Sequence, residues 1–255
     1  MNKKTMGREF LRDVVEEYNR VNLLLGESNI NFMNHGYSPS YEIISEDDFI
    51  FKNQISLYLN MFDGIESKGK TILEVGCGRG GGISAIKKYL DTDKLFACDI
   101  NKLNIEYCKK NHDKSIEFKV SDAHKLQYPN SFFDILVSVE SSHCYHGLNS
   151  FFSEVSRVLK PGGIFLYTDC GENIKMFSTE SSMFTDIKRE DITKNVRQSC
   201  LEDYEKWKLL ILDEEIKEKF TRIALLKSED YENGSDMYLK YIATNKSLGD
   251  NSEQT

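Results

Sequence analysis

The segment Glu74-Val75-Gly76-Cys77-Gly78-Arg79-Gly80-Gly81-Gly82 joins a short β-branched apolar run to a helical pattern. Glycines at such a turn allow positive φ and let the backbone approach a ligand closely. Read literally, Gly76, Gly78 and Gly81 satisfy the G-x-G-x-x-G pattern of dinucleotide-binding loops, so the glycines alone do not choose the ligand. Carboxylates at successive strand ends narrow the choice. Asp99 closes the next apolar run, at the distance where an acid accepts hydrogen bonds from ribose hydroxyls. Asp122-Ala123 follow the third run, where a carboxylate can take an adenine amino group. Glu74 adds negative charge beside the loop, which opposes a pyrophosphate and suits a ligand with an ammonium group and a sulfonium centre.

Short apolar runs alternating with helical stretches must hold these residues: Thr71–Val75, Lys94–Cys98, Ile116–Val120, Phe133–Val139 and Gly163–Thr168. Strands separated by helices imply right-handed βαβ units and a parallel sheet, and the unbroken Ile135-Leu136-Val137 suits a central strand covered on both faces. Upstream, Phe10, Val14, Tyr18 and Val21 recur at helical spacing and Phe49 to Phe62 is similar. Residues 1–69 therefore read as a helical segment able to act as a lid, interrupted by the irregular stretch Asn31 to Pro39. Residues 171–219 read as a helical cap inserted after the fifth strand, with more apolar groups than a crossover helix needs. Phe220–Leu226 and Met237–Ala243, with Asn233-Gly234 between them, read as a terminal hairpin. A core of residues 70–245 is followed by a polar tail, 246–255, expected to be disordered.

The chain has 255 residues, 33 Lys plus Arg and 41 Asp plus Glu, hence a net charge of −8. Without a basic stretch, a nucleic-acid partner is not expected. No apolar run is long enough to span a bilayer, no secretory leader is evident, and the six cysteines include no C-x-x-C pair. These features predict a cytoplasmic protein with reduced, mostly buried thiols.

Glu74-Val75-Gly76-Cys77-Gly78, Asp99, Asp122-Ala123, the run Phe133–Val139 and Leu159-Lys160-Pro161-Gly162-Gly163 together resemble the motif series of class I S-adenosylmethionine-dependent methyltransferases, over roughly residues 70 to 170. The resemblance implies a Rossmann-like α/β fold, a seven-stranded sheet of order 3-2-1-4-5-7-6 with strand 7 antiparallel. It implies S-adenosylmethionine as cofactor and S-adenosylhomocysteine as product. Glu74, Gly76 and Gly78 would line the methionine part, Asp99 the ribose, and Asp122 with Ala123 the adenine, with Ile100 and Glu140 completing the cofactor set.

In this fold the segment after the fourth strand, Val139 to Gly147, faces the transferable methyl, which directs attention to His143. Methyl transfer needs the nucleophile held about 3 to 3.5 Å away and aligned. An alcohol must also lose its proton, a role that imidazole suits near neutrality. His143 is the expected base, with His146 as rival and Asp169 orienting the imidazole or binding a substrate hydroxyl; Tyr37, Tyr145 and His146 are candidate substrate contacts. Glu140 to Tyr145, Asn31 to Tyr37 and Asp191 to Val196 resemble a narrower group, the bacterial O-methyltransferases of polyketide, peptide–polyketide and lipid biosynthesis of the phthiotriol and microcystin pathway type, with a departure at His146-Gly147. That likeness implies O-methylation of a small apolar metabolite, free or carrier-protein-tethered. No metal is expected, since no compact set of oxygen ligands surrounds Asp169. An N- or C-methyltransferase, a non-catalytic cofactor-binding module and an NAD(P)-dependent oxidoreductase are the alternatives.

Overall fold

Seven strands pair into one sheet in the computed structural model, which describes residues 3–246. They are β1 (Thr71–Val75), β2 (Lys94–Asp99), β3 (Glu117–Val120), β4 (Phe133–Val139), β5 (Leu159–Cys170), β6 (Phe184–Asp191) and β7 (Tyr238–Asn245). Their order is β3-β2-β1-β4-β5-β7-β6. The first five are parallel, and β7 runs antiparallel to both neighbours. The expected strand order thus holds.

Helices α1 (Lys3–Leu25), α2 (Lys52–Met61), α3 (Gly81–Tyr89), α4 (Lys102–Asn111), α5 (Leu148–Val158), α6 (Gly171–Glu180), α7 (Thr193–Leu210) and α8 (Glu214–Asn233) complete the described elements with two 3-10 turns. The pleat divides the central strands between two cores, because successive side chains point to opposite faces. Ile72, Ile135, Val137 and Leu166 pack with α2, α3 and α4, whereas Leu73, Leu136, Phe165 and Tyr167 pack with α5 and α6. The second core is rich in rings: Phe152 and Phe177 meet edge-on with centroids 5.0 Å apart, and Phe165 lies against Tyr167 at 5.2 Å.

The C-terminal third corrects the sequence reading. Phe220–Leu226 is not a strand but the middle of α8, and Gly234, in the left-handed region at φ +75°, ends that helix rather than turning a hairpin. Asp213 caps α8 by accepting from the Ile216 N–H at 3.0 Å, and Glu214 and Glu215 occupy its first turn, both favourable at a helix N-terminus. Ile216, Ala224, Ser228 and Tyr231 are its buried residues, a helical rather than an alternating period. The partner of β7 is instead β6, whose sequence FTDIKRED buries only Phe184. It is a charged edge strand, a form that resists pairing with other chains and carries almost no apolar alternation to read.

The helical cap consequently sits elsewhere in the topology. Only α6 separates β5 from β6, and the α7–α8 pair lies between β6 and β7. No helix among the described residues is long and apolar enough to cross a membrane, and all six cysteines are unpaired, five of them buried. The expectation for the tail beyond Lys246 lies outside the described residues.

Candidate functional site

A cavity of about 430 Å³ opens at the C-terminal ends of β1, β2 and β4, the edge where parallel α/β sheets bind ligands. Gly76, Gly78, Asp99, Ile100, Asp122, Ala123, Glu140, His143 and Tyr145 line it together with Asn31 to His35. Its size is within the range of small-molecule sites.

The glycine loop is shaped for close approach. At Gly76, φ is +77° and an added Cβ would lie 2.4 Å from Ser141 Cβ, so only glycine fits. Asp99 braces the loop from β2: one oxygen accepts from the Gly78 N–H at 2.9 Å, the other from the Asn101 N–H at 2.7 Å. Burial raises the Asp99 pKa, and these backbone bonds act against it. After β3, Asp122 Oδ1 accepts from the His124 backbone N–H at 2.8 Å and pairs with His124 Nδ1 at 2.9 Å. That pairing, led by the side-chain bond, lowers the Asp122 pKa. His124 was not singled out in the sequence; a histidine two residues after the strand-end acid was its only mark.

Glu74 is placed differently from expectation. On the pleated strand it shares the face of Ile72, so its side chain points toward α2, where Tyr58 donates to Oε1 at 2.7 Å. The carboxyl is buried and lies outside the cavity lining. Burial pushes its pKa up to about 7, so Glu74 carries only part of a charge near neutrality, beneath the loop rather than beside it.

His143 and Asp169 are brought together from the β4 and β5 ends. His143 Nδ1 lies 2.9 Å from Asp169 Oδ1, and its backbone N–H donates to Oδ2 at 3.0 Å. Ser142 Oγ donates to Oδ2 at 2.6 Å, Tyr167 donates to Ser142 at 2.6 Å, and the Cys170 N–H donates to Oδ1 at 2.8 Å. Asp169 is wholly buried, whereas the His143 side chain is 39 % exposed toward the cavity. With Nδ1 on the carboxylate, Nε2 is the nitrogen left to face a ligand. Burial alone would lower the His143 pKa, but the Asp169 carboxylate outweighs it and holds the imidazole well above its ordinary value. Burial likewise pushes Asp169 up, yet the His143 charge and the hydrogen bonds bring it below the usual carboxylate range.

Two expected substrate contacts are placed away from the cavity. The chain turns at Gly36, φ +75°, and the Tyr37 side chain packs against the core on the α2 side rather than lining the site. His146 is exposed, its ring 4.5 Å from that of His124, and it is absent from the lining. Tyr145 does line it, donating to Ser141 Oγ at 3.0 Å. Glu140, at φ +44°, accepts from the His35 N–H and from Tyr238 Oη, each at 2.6 Å, tying the 31–35 segment to the sheet. His143, Asp169 and Cys170 place ligand-type atoms within 4.8 Å of one another. Burial pushes the Cys170 thiol well above its usual range, which opposes the thiolate a metal would need.

Arg79, within the glycine loop, has no sequence mark of its own role. It is 1 % exposed and donates to the carbonyls of Ile30 (2.8 Å), Gly26 (3.1 Å) and Ser28 (3.0 Å) and to Asn22 Oδ1 (3.1 Å), with its guanidinium 3.6 Å from the Tyr107 ring centroid. The loop is thereby tied to the end of α1. Arg79→Ala leaves those acceptors unsatisfied and is expected to cost about 3 kcal/mol, read as a lower urea midpoint at unchanged slope.

A family model described as a methyltransferase domain matches residues 73–167. Over 195 residues the chain is 31 % identical to a phthiotriol/phenolphthiotriol dimycocerosates methyltransferase of Mycobacterium leprae, covering 73 % of this chain and 72 % of that one. The chain belongs to the S-adenosylmethionine-dependent methyltransferases. It is also 38 % identical over 149 residues to a fatty-acid O-methyltransferase of Mycolicibacterium smegmatis, covering 57 % of this chain and 54 % of the relative, so the methyltransferase spans little more than half the length of that protein. Its fold matches geranyl diphosphate C-methyltransferase of Streptomyces coelicolor A3(2), solved with Mg2+, geranyl diphosphate and S-adenosylhomocysteine: TM-score 0.65, 15 % identity, 92 % and 98 % of the chains covered. The cofactor of the family is S-adenosylmethionine. The cavity suits it: a Gly76 cradle that a Cβ would fill, an acid at the end of β2 and another after β3.

Proposed function

We propose that this methyltransferase methylates an oxygen of a small, largely apolar acceptor of lipid or polyketide type, free or carrier-tethered, with His143 as general base. His143 at the cavity wall, paired with the buried Asp169 behind it, carries this reading. The bound cofactor supplies a methyl group on a positively charged sulfur. Gly76 and Gly78 let the backbone approach it, Asp99 takes the ribose hydroxyls, and Asp122 with Ala123 receives the adenine. His143 Nε2 accepts the proton of the acceptor hydroxyl, and Asp169 fixes the opposite tautomer and stabilises the imidazolium formed. The names of the mycobacterial relatives, a fatty-acid and a phthiotriol enzyme, support a lipid-like acceptor. The test is product formation from methyl-labelled cofactor with long-chain alcohols and acids; cofactor binding without transfer to any acceptor would favour a non-catalytic module.

A carboxylate acceptor is the second reading, favoured by the raised His143 pKa. A carboxylate needs no base, and an imidazolium would hold and orient it. The pH dependence separates the two. A base works only when deprotonated, so transfer to an alcohol should rise with pH through a midpoint above about 6.5, the ordinary histidine value, and Asp169→Asn should move that midpoint down. Transfer to a carboxylate held by imidazolium should instead fall as pH rises through the same region.

A further inference from the structure

A second cavity, about 360 Å³, adjoins the first and shares Tyr18, Phe32, Met33, Asn34, His35 and Cys144 with it. Its far wall comes from α7 and α8: Cys200, Asp203 and Trp207 lie on one helix face, and Phe220, Ile223 and Ala224 on another. The cavity is partly open and mostly apolar in its lining, and concave apolar sites of this size are typical of small-molecule binding. The Asp203 carboxylate is already engaged by Asn53 at 3.2 Å, by Gln54, and by Lys206 at 2.6 Å. Glu17 is exposed and Lys219 is part-exposed. Of the other polar groups, Asn34 Oδ1 accepts from the Gly36 N–H and His35 Nδ1 meets Tyr231 Oη, so the lining that is left for a ligand is mostly hydrocarbon, ring and thiol.

We propose that this second cavity binds the tail of the acceptor, an unbranched acyl or alkyl chain, and that Ala224 sets the chain length it accepts. The inference rests on the methyl-transfer reading above for the reacting end and names the chemistry of the other end. The shared lining decides the occupant: Cys144 follows His143 and lines both cavities, so a tail seated in the second cavity and passing Cys144 would keep its polar head beside the imidazole. Trp207 is a fixed wall, its Nε1 donating to Ile50 O at 3.3 Å and its ring 5.5 Å from Phe220. Ala224 is 4 % exposed and is the smallest of the residues lining this space, so a larger side chain there occupies volume without removing a polar contact.

The test titrates wild type and Ala224→Phe, each saturated with S-adenosylhomocysteine, with primary alcohols from hexanol upward, each below its aqueous solubility limit, by calorimetry. For wild type, affinity should rise about fourfold per added methylene and then level off. Ala224→Phe should level off at a shorter chain while binding hexanol and S-adenosylhomocysteine as wild type does; Ala224→Leu, a smaller intrusion, gives an intermediate limit and serves if the phenylalanine variant does not fold. Affinity independent of chain length, or one limit shared by all variants, overturns the proposal. Because the readout is binding, a protein that binds chains with this limit yet transfers no methyl group would sink the methyl-transfer reading and leave the tail site standing. Methyl transfer to short and long acceptors alike, unchanged in the variants, would do the reverse.

Discussion

His143→Ala is expected to lower kcat for an alcohol acceptor about 10²–10⁴-fold, the usual worth of a positioned general base, while S-adenosylhomocysteine binds as before. The separation is expected because His143 meets Asp169 on the β4–β5 side, whereas the glycine loop is braced by Asp99 from β2. Asp169→Asn should lower kcat as well, since an amide can present the wrong hydrogen-bonding edge to Nδ1. A purely structural Asp169 would alter stability and leave the pH midpoint in place. Stopped-time assays with labelled cofactor across pH, beside calorimetric titration with S-adenosylhomocysteine, decide the matter. Unchanged turnover in His143→Ala would remove the base from the mechanism and leave alignment alone to account for catalysis.

Asp99→Ala should weaken binding of S-adenosylmethionine and S-adenosylhomocysteine by about 10²–10⁴-fold, two hydrogen bonds to a charged group being worth about 1.5–3 kcal/mol each. The loss has two parts. The ribose hydroxyls would lose the acceptor proposed for them, and the N–H groups of Gly78 and Asn101, which Asp99 receives at 2.9 and 2.7 Å, would lose theirs. Asp99→Asn keeps an acceptor oxygen and should recover part of the affinity. Equal affinity in wild type and Asp99→Ala would place the ribose elsewhere in the cavity.

How legible each part was follows from the range over which its cause acts. The glycine loop, the strand-end acids and the five parallel strands could be read because turn chemistry and apolar runs act over a few residues. The α8 helix was misread because Phe220 to Leu226 satisfies a strand as well as a helix over a short window, and only the Asp213 cap and the spacing through Tyr231 resolve it. β6 escaped notice because a charged edge strand buries one residue.

From the residues alone followed the glycine loop, the strand-end acids and the five parallel strands, and their resemblance to the family implied the strand order. Tertiary structure decided the rest. Register and neighbouring helices turned Glu74 toward Tyr58, the Gly36 turn took Tyr37 out of the site, and His146 went to the rim beside His124. Asp169 meets His143 across 26 positions of sequence, and Arg79 reaches Asn22 across 57. Such contacts depend on which strands lie side by side and which face a side chain takes, so they form only when the whole sheet is assembled.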